Sequence, residues 1–170
     1  IPWDFNRQAS SEVIDNMLDN VSCGDHEIRS LLEEIVGACM YRSNTLAGGK
    51  AFILTGTGSN GKSTYLKTLS NLMSEKNISA LDLKKLGDRF STVMMFGKLA
   101  NIGDDISNEF VTDTSLFKKV VTGETIDAEQ KGQPKFDFKP FCKLLFSANN
   151  IPRMGKGSDS QAIMRRLVIV

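Results

Sequence analysis

The run Gly56-Thr57-Gly58-Ser59-Asn60-Gly61-Lys62-Ser63-Thr64 fits the pattern G-x-x-x-x-G-K-[ST] and follows directly on the apolar residues Ala51 to Leu54. In a strand-to-helix context that pattern is a phosphate-binding loop. Gly56, Gly58 and Gly61 permit positive φ, so consecutive backbone N–H groups can curl around phosphate oxygens. Lys62 would bring a point charge to the β and γ phosphates of a triphosphate, and Ser63 would offer its hydroxyl to magnesium. The helix that follows would aim its N-terminal dipole at the same anion. The competing reading is a glycine-rich turn that caps an ordinary helix.

Such a loop also needs a metal ligand and a group that orients water, both usually at the tip of a neighbouring strand. Asp104 and Asp105 stand where they should, after Lys98-Leu99-Ala100-Asn101-Ile102-Gly103, a strand that Asn101 and Gly103 make less apolar than is usual. Asp104 would hold magnesium, directly or through water, and Asp105 would polarise the attacking water. A pair of aspartates after a short strand can also be a helix cap or a turn.

The elements that must position these groups are readable from periodicity. Ser10 to Asn20 is a short helix with Val13, Met17 and Leu18 at helical spacing. Asp25 caps a second helix, in which Ile28, Leu31, Leu32, Ile35, Val36 and Cys39 form one stripe. Residues 1–45 thus make a helical lead-in, and residues 46–170 an α/β core that opens with the strand Ala51 to Thr55. Lys62 to Met73 is a helix packing on the sheet through Leu66, Leu69, Leu72 and Met73. Strand-like segments recur at Ile78 to Leu81, Leu99 to Ile102, Thr125 to Ala128, Phe136 to Phe138, Lys143 to Ser147 and Leu167 to Val170. Helices fall between several of them, notably Ser115 to Val121, with Asp113 as its cap and Gly123 beyond its end. The alternation predicts a mostly parallel sheet flanked by helices. Phe136, Phe138, Phe141 and Phe146 are expected in the core rather than stacked on bases, and Met94 and Met95 are expected as packing material.

Composition sets further bounds. The 170 residues suit one compact domain, and Lys+Arg 21 against Asp+Glu 20 leaves a net charge of +1. Any nucleic-acid contact must then come from a local patch. Cys23, Cys39 and Cys142 lack metal-ligand spacing, and the single His26 cannot complete a zinc site with them. They are read as reduced thiols of a cytosolic protein, with no signal peptide and no apolar run near the ~18 residues of a membrane span. The chain starts at Ile1 and ends within the apolar Leu167 to Val170. It is therefore expected to be part of a longer polypeptide.

At four places the chain resembles the superfamily 3 helicases of viruses and plasmids, in particular the helicase part of phage and plasmid primase-helicases related to the poxvirus primase-helicase. Ser59-Asn60-Gly61-Lys62-Ser63-Thr64 resembles that family's Walker A loop, and Leu99-Ala100-Asn101-Ile102-Gly103-Asp104-Asp105-Ile106 its Walker B segment. Leu144-Leu145-Phe146-Ser147-Ala148-Asn149-Asn150-Ile151-Pro152 resembles its motif C, and Arg165-Arg166-Leu167 the paired arginines before its last core strand. Many relatives in the primase-helicase branch carry Glu where this chain has Asp105, one methylene shorter.

The resemblance implies a P-loop NTPase with a modified AAA+ core, using ATP and Mg2+, and assembled as a homo-oligomeric ring, commonly a hexamer, that travels along single-stranded DNA. It implies that Asn149, or the adjacent Asn150, is a polar sensor of the γ-phosphate or the attacking water. An amide suits that role because it can donate to phosphate and accept from water without changing protonation. Arg165 or Arg166 becomes the arginine finger for a neighbouring subunit, the alternative being surface arginines with carboxylate partners. Within Ile126 to Phe138, two extended arms flank the tip Lys131-Gly132-Gln133-Pro134 and predict a β-hairpin. In the family resembled, such a hairpin grips the DNA backbone, which makes Lys131 the first candidate contact and Lys135 the second. The function expected is an ATP-dependent DNA helicase module of a phage or plasmid replication protein, working in the cytoplasm of a bacterial host. The alternatives are an AAA+ initiator or loader and a P-loop small-molecule kinase.

Overall fold

The computed structural model describes residues 1–45, 49–104 and 114–170. Two helices lead in: α1 (Glu12–Val21) and α2 (His26–Met40). Each starts on the side chain its sequence offers. Ser11 accepts from the Ile14 N–H, and Asp25 accepts from Glu27 and Ile28 N–H at 2.8 and 3.1 Å, satisfying donors that the first helical turn leaves open. Arg29 of α2 then reaches across to Asp15 and Asp19 of α1 and along its own helix to Glu33, which locks the two helices together.

Strand β1 (Ala51–Thr55) runs into the glycine loop and α3 (Lys62–Met73), as the spacing predicts. The chain continues through β2 (Ile78–Ser79), β3 (Ala100–Gly103), α4 (Ser115–Thr122), the hairpin strands β4 (Ile126–Ala128) and β5 (Phe136–Phe138), β6 (Lys143–Ala148), α5 (Ser158–Met164) and β7 (Leu167–Ile169). Five strands form one parallel sheet in the order β2-β3-β6-β1-β7, and β4 and β5 pair separately and antiparallel. The chain is therefore α/β, with a parallel central sheet flanked by helices.

Because strand side chains alternate, each inner strand feeds two cores. On one face Ala51, Ile53, Leu144 and Phe146 pack with Phe117, Val120 and Ile163 of α4 and α5. On the other, Phe52, Leu54 and Leu145 pack with Leu32 and Ile35 of α2 and Leu66 and Leu69 of α3. Tyr65 of α3 donates its hydroxyl to the Leu32 carbonyl at 2.7 Å, tying the helix behind the glycine loop to the lead-in.

Several expectations are corrected. Asn101 does not weaken β3. It is fully buried, accepts from the Ser79 hydroxyl and the Leu81 N–H, and donates to the Leu81 carbonyl, all at 2.8 to 2.9 Å. Those bonds take the backbone groups that would have carried β2 on to Leu81, so the strand stops at Ser79. Gly103 is needed rather than tolerated, since a Cβ there would lie 2.7 Å from the Phe146 ring. The short α5 and the 3-10 turns Leu83–Gly87 and Thr92–Met95 went unread in the sequence. Asp113 lies outside the described residues, and Thr114 stands at the cap position of α4, its hydroxyl on Asp159. Gly123 closes α4 in the left-handed conformation, as expected. Met95 is buried but Met94 is about half exposed. Phe146 is buried and Phe141 packs at the core margin, while Phe136 and Phe138 are half-buried and meet the exposed Phe96 edge to face.

All three cysteines are free thiols. Burial pushes Cys39 and Cys142 up to about 12, which keeps them protonated and inert. Beside them the Lys143 ammonium donates to the carbonyls of Tyr41, Ser43 and Phe141 at 2.9 to 3.0 Å. Desolvation lowers its pKa, and the bonds anchor the end of α2 to β6.

Candidate functional site

Strand order builds the site. β6 lies between β1 and β3, and all three run the same way, so their C-terminal ends open on one crevice. In register, Thr55 is beside Ala148 and Gly103 beside Phe146. One residue further on, the start of the glycine loop comes beside Asn149, and Asp104 beside Ser147. The resulting cleft, of about 450 Å³, is lined by the loop from Gly58 to Thr64 together with Asp104, Ser147 and Asn149. Asn150 does not line it.

The loop is shaped for close approach. Gly61 opens α3 at φ 86°, and a Cβ there would strike Val21 of α1 at 2.7 Å, so the lead-in packs against the loop itself. The expected positive φ at Gly58 does not occur; Ser59 adopts it instead, at φ 63°. Lys62 is only 9% exposed, and its ammonium turns into the loop, donating to Gly56 O at 2.7 Å, Asn60 Oδ1 at 2.8 Å and Thr57 O at 3.4 Å. The loop thus holds its own cation in the mouth of the cleft with neutral oxygens, the arrangement an anion would displace.

Across the cleft, Ser63 donates its hydroxyl to Asp104 Oδ1 at 3.2 Å, and Ser147 donates to the same oxygen. A carboxylate and a hydroxyl at the foot of an anion cleft are hard oxygen donors. They suit Mg2+, which takes one or two carboxylates and completes its shell with water and phosphate oxygens. Among the described residues no group of three His, Cys, Asp or Glu could hold a metal by itself. Asp105 lies outside the described residues. Ser147 was assigned no role from sequence; a hydroxyl near the end of an otherwise apolar strand, two residues before Asn149, was the available signal.

Arg165 and Arg166 are not in the cleft. Arg166 O accepts from the N–H of Ala51, the first residue of β1, whereas the glycine loop follows the last. Five residues of strand, about 16 Å, separate them. Arg165 is exposed. Arg166 is half-buried and donates to the Ala162 carbonyl, and its Nε is buried with no partner among the described residues.

The predicted hairpin is present, with Ile126 opposite Phe138 and Ala128 opposite Phe136. Lys131 is exposed at its tip. Lys135 lies 3.6 Å from Glu129, whose carboxylate also accepts two bonds from Arg89, so its charge is partly answered within the chain. Asp127 and Asp137 face each other on the exposed side of the arms. Of the two hairpin lysines, Lys131 is the one with no ion pair among the described residues.

Among solved structures, the chain is similar to the apo C-terminal region of NrS-1, with TM-score 0.72 and 22% identity over 95% of this chain. It is also similar to JCV helicase, with TM-score 0.54 and 15% identity over 97% of this chain in a complex with a thiazolopyridinyl phenoxyphenyl acetamide. The chain spans 37% of the former and 46% of the latter. At these identities the likeness establishes a shared fold and nothing further. No curated protein matches the sequence. A family model matches residues 54–166, a stretch that runs from the end of β1 through Arg166 and takes in the whole cleft. The chain belongs to that family, a family of unknown function (DUF5906).

Proposed function

We propose that the chain is the ATPase module of a DNA helicase, a modified AAA+ core (residues 46–170) behind a helical lead-in (residues 1–45), that couples ATP hydrolysis to movement on single-stranded DNA. The observation that carries this is the convergence of Lys62, Ser63, Asp104 and Asn149 in one cleft from three parallel strand ends. Residues Gly56 to Thr64 wrap the triphosphate, and Lys62 exchanges its loop carbonyls for phosphate oxygens. Ser63 and Asp104 hold magnesium, which supplies charge neutralisation at the phosphates when bound. Asn149 contacts the γ-phosphate or the attacking water, Asp105 polarises that water, and Asn150 has no part.

An arginine at the opposite end of the sheet from its own loop can stabilise the reaction only on another subunit, which supports assembly as a ring. Arg165 suits the finger better than Arg166, whose guanidinium is half-buried and engaged with Ala162. Lys131 is the DNA contact at the hairpin tip, with Lys135 in support. The full-length protein is expected to turn over ATP faster with single-stranded DNA and to unwind a forked duplex unaided. Turnover indifferent to DNA would overturn the proposal, and stimulation without unwinding would favour a loader.

A further inference from the structure

The phosphate cleft has a neighbour. A second crevice is walled on one side by Val13, Asn16, Met17, Asn20 and Val21 of α1 and on the other by Ser59, Asn60, Gly61 and Thr64. Those four loop residues also line the phosphate cleft, so the two spaces flank the same loop. On α1 the residues 13, 16, 17 and 20 follow i, i+3, i+4, i+7 and form one face, while Leu18 turns to the core. That wall is held in place by the Arg29 clamp and by Val21 against Gly61.

Its chemistry is specific. Val13, Met17 and Val21 make an apolar strip, and the exposed amides of Asn16 and Asn20 have no hydrogen-bond partner among the described residues. A nucleotide whose phosphates lie in the loop must send its base out along one flank. An apolar strip accepts the face of a heterocycle, and an amide offers a donor beside an acceptor. Adenine shows the complementary pair, an amine beside a ring nitrogen, whereas guanine shows two acceptors at that edge. We infer that this crevice takes the base of the bound nucleotide, and that Asn16 and Asn20 select adenine over guanine. The inference rests on the phosphate-loop reading proposed above.

Calorimetry of the full-length protein with Mg2+ and, in turn, a non-hydrolysable ATP analogue, the matching GTP analogue and inorganic tripolyphosphate tests it. The ATP analogue should bind roughly tenfold or more tighter than the GTP analogue, since one bidentate amide contact discriminates by about that much. It should also bind tighter than tripolyphosphate. In the double variant Asn16→Ala, Asn20→Ala the ATP-to-GTP ratio should collapse toward one. Equal binding of all three ligands by the wild type, or a ratio the variant preserves, overturns the base site and leaves the phosphate-loop reading standing. Absence of binding by all three overturns both. Independently of how the variant folds, photolabelling of the wild type with 8-azido-ATP should mark α1, and a label found only elsewhere overturns the inference.

Discussion

Replacing Lys62 with alanine should remove tight binding of Mg-ATP while sparing the fold, and the geometry sets the size of the loss. The ammonium donates to Gly56 O, Asn60 Oδ1 and, at the outer limit of a hydrogen bond, Thr57 O. Bound nucleotide exchanges neutral acceptors for anionic ones, so the gain is the difference between the two, not the whole value of a charged contact. Unit charges about 4 Å apart in a partly exposed cleft attract by about 4 kcal/mol before salt screening, which is the ceiling on that difference. Screening and the neutral bonds given up leave about 2 to 3 kcal/mol, roughly 30- to 150-fold in affinity. The fold should be unaffected, because α3 is anchored by Tyr65, Leu66, Leu69 and Met73, and the freed carbonyls reach solvent through the open cleft. Titration calorimetry would give the affinity and a thermal melt the integrity, with the midpoint expected within about 4 °C of wild type. A variant that melts normally and binds Mg-ATP within about tenfold of wild type would refute the reasoning, since one logarithm is less than the electrostatic exchange requires.

Other substitutions separate the remaining roles. Asp104→Asn keeps an acceptor for Ser63 and Ser147 but deletes the charge, so the magnesium concentration for half-maximal turnover should rise about 10- to 100-fold; an unmoved midpoint would remove Asp104 from the metal site. Asn149→Ala should lower turnover on the order of 10²-fold at unchanged nucleotide affinity. Asn150→Ala should stay within about twofold, and equal losses in both would contradict the parity of β6. Asp159 accepts from Lys118 and Thr114 of the α4 segment, and the Lys118 bond, then the Thr114 bond, holds its carboxylate below the usual 3.8. A depressed folded-state pKa contributes stability that is present above the unfolded value and lost as pH falls through the folded one. Hydrogen exchange in α5 should therefore accelerate as pH drops below about 3.8, after correction for intrinsic exchange rates, and Asp159→Asn should abolish that step.

What could be read from the sequence was local. β1, α3 and the caps of α1 and α2 carry their determinants within a few residues: an apolar run, a glycine loop, Ser11 and Asp25 before the first turns. Lys62 and Ser63 were legible for the same reason. α5 was not, because among its described side chains only Ile163 is buried, too few to show a period. Asn101 was misjudged because its partners, Ser79 and Leu81, lie twenty or more residues away and are met only through pairing of β2 with β3. The choice between Asn149 and Asn150 depends on which residue follows the last pair of β6 with β1, a matter of register that adjacent identical residues cannot express. The packing of Val21 on Gly61 is likewise a contact between elements forty residues apart, and nothing in either segment announces it.

The strand order that assembles the cleft also limits it. With β6 inserted between β1 and β3, the tips of three strands bring Lys62, the Ser63 and Ser147 hydroxyls, Asp104 and Asn149 together in one cleft. The same order leaves β7 at the edge, running parallel to β1, so that whatever precedes β7 lies at the other end of the strands. Arg165 and Arg166 precede it. No rearrangement of their side chains could carry them the length of β1 to their own loop, since an extended arginine spans less than half of about 16 Å. Among the described residues the cleft therefore has Lys62 as its sole lining cation, fewer positive groups than phosphoryl transfer commonly uses. On the function proposed above, the further charge is supplied by a second copy, and the exposed Arg165 is presented at the end of the sheet from which that copy could receive it.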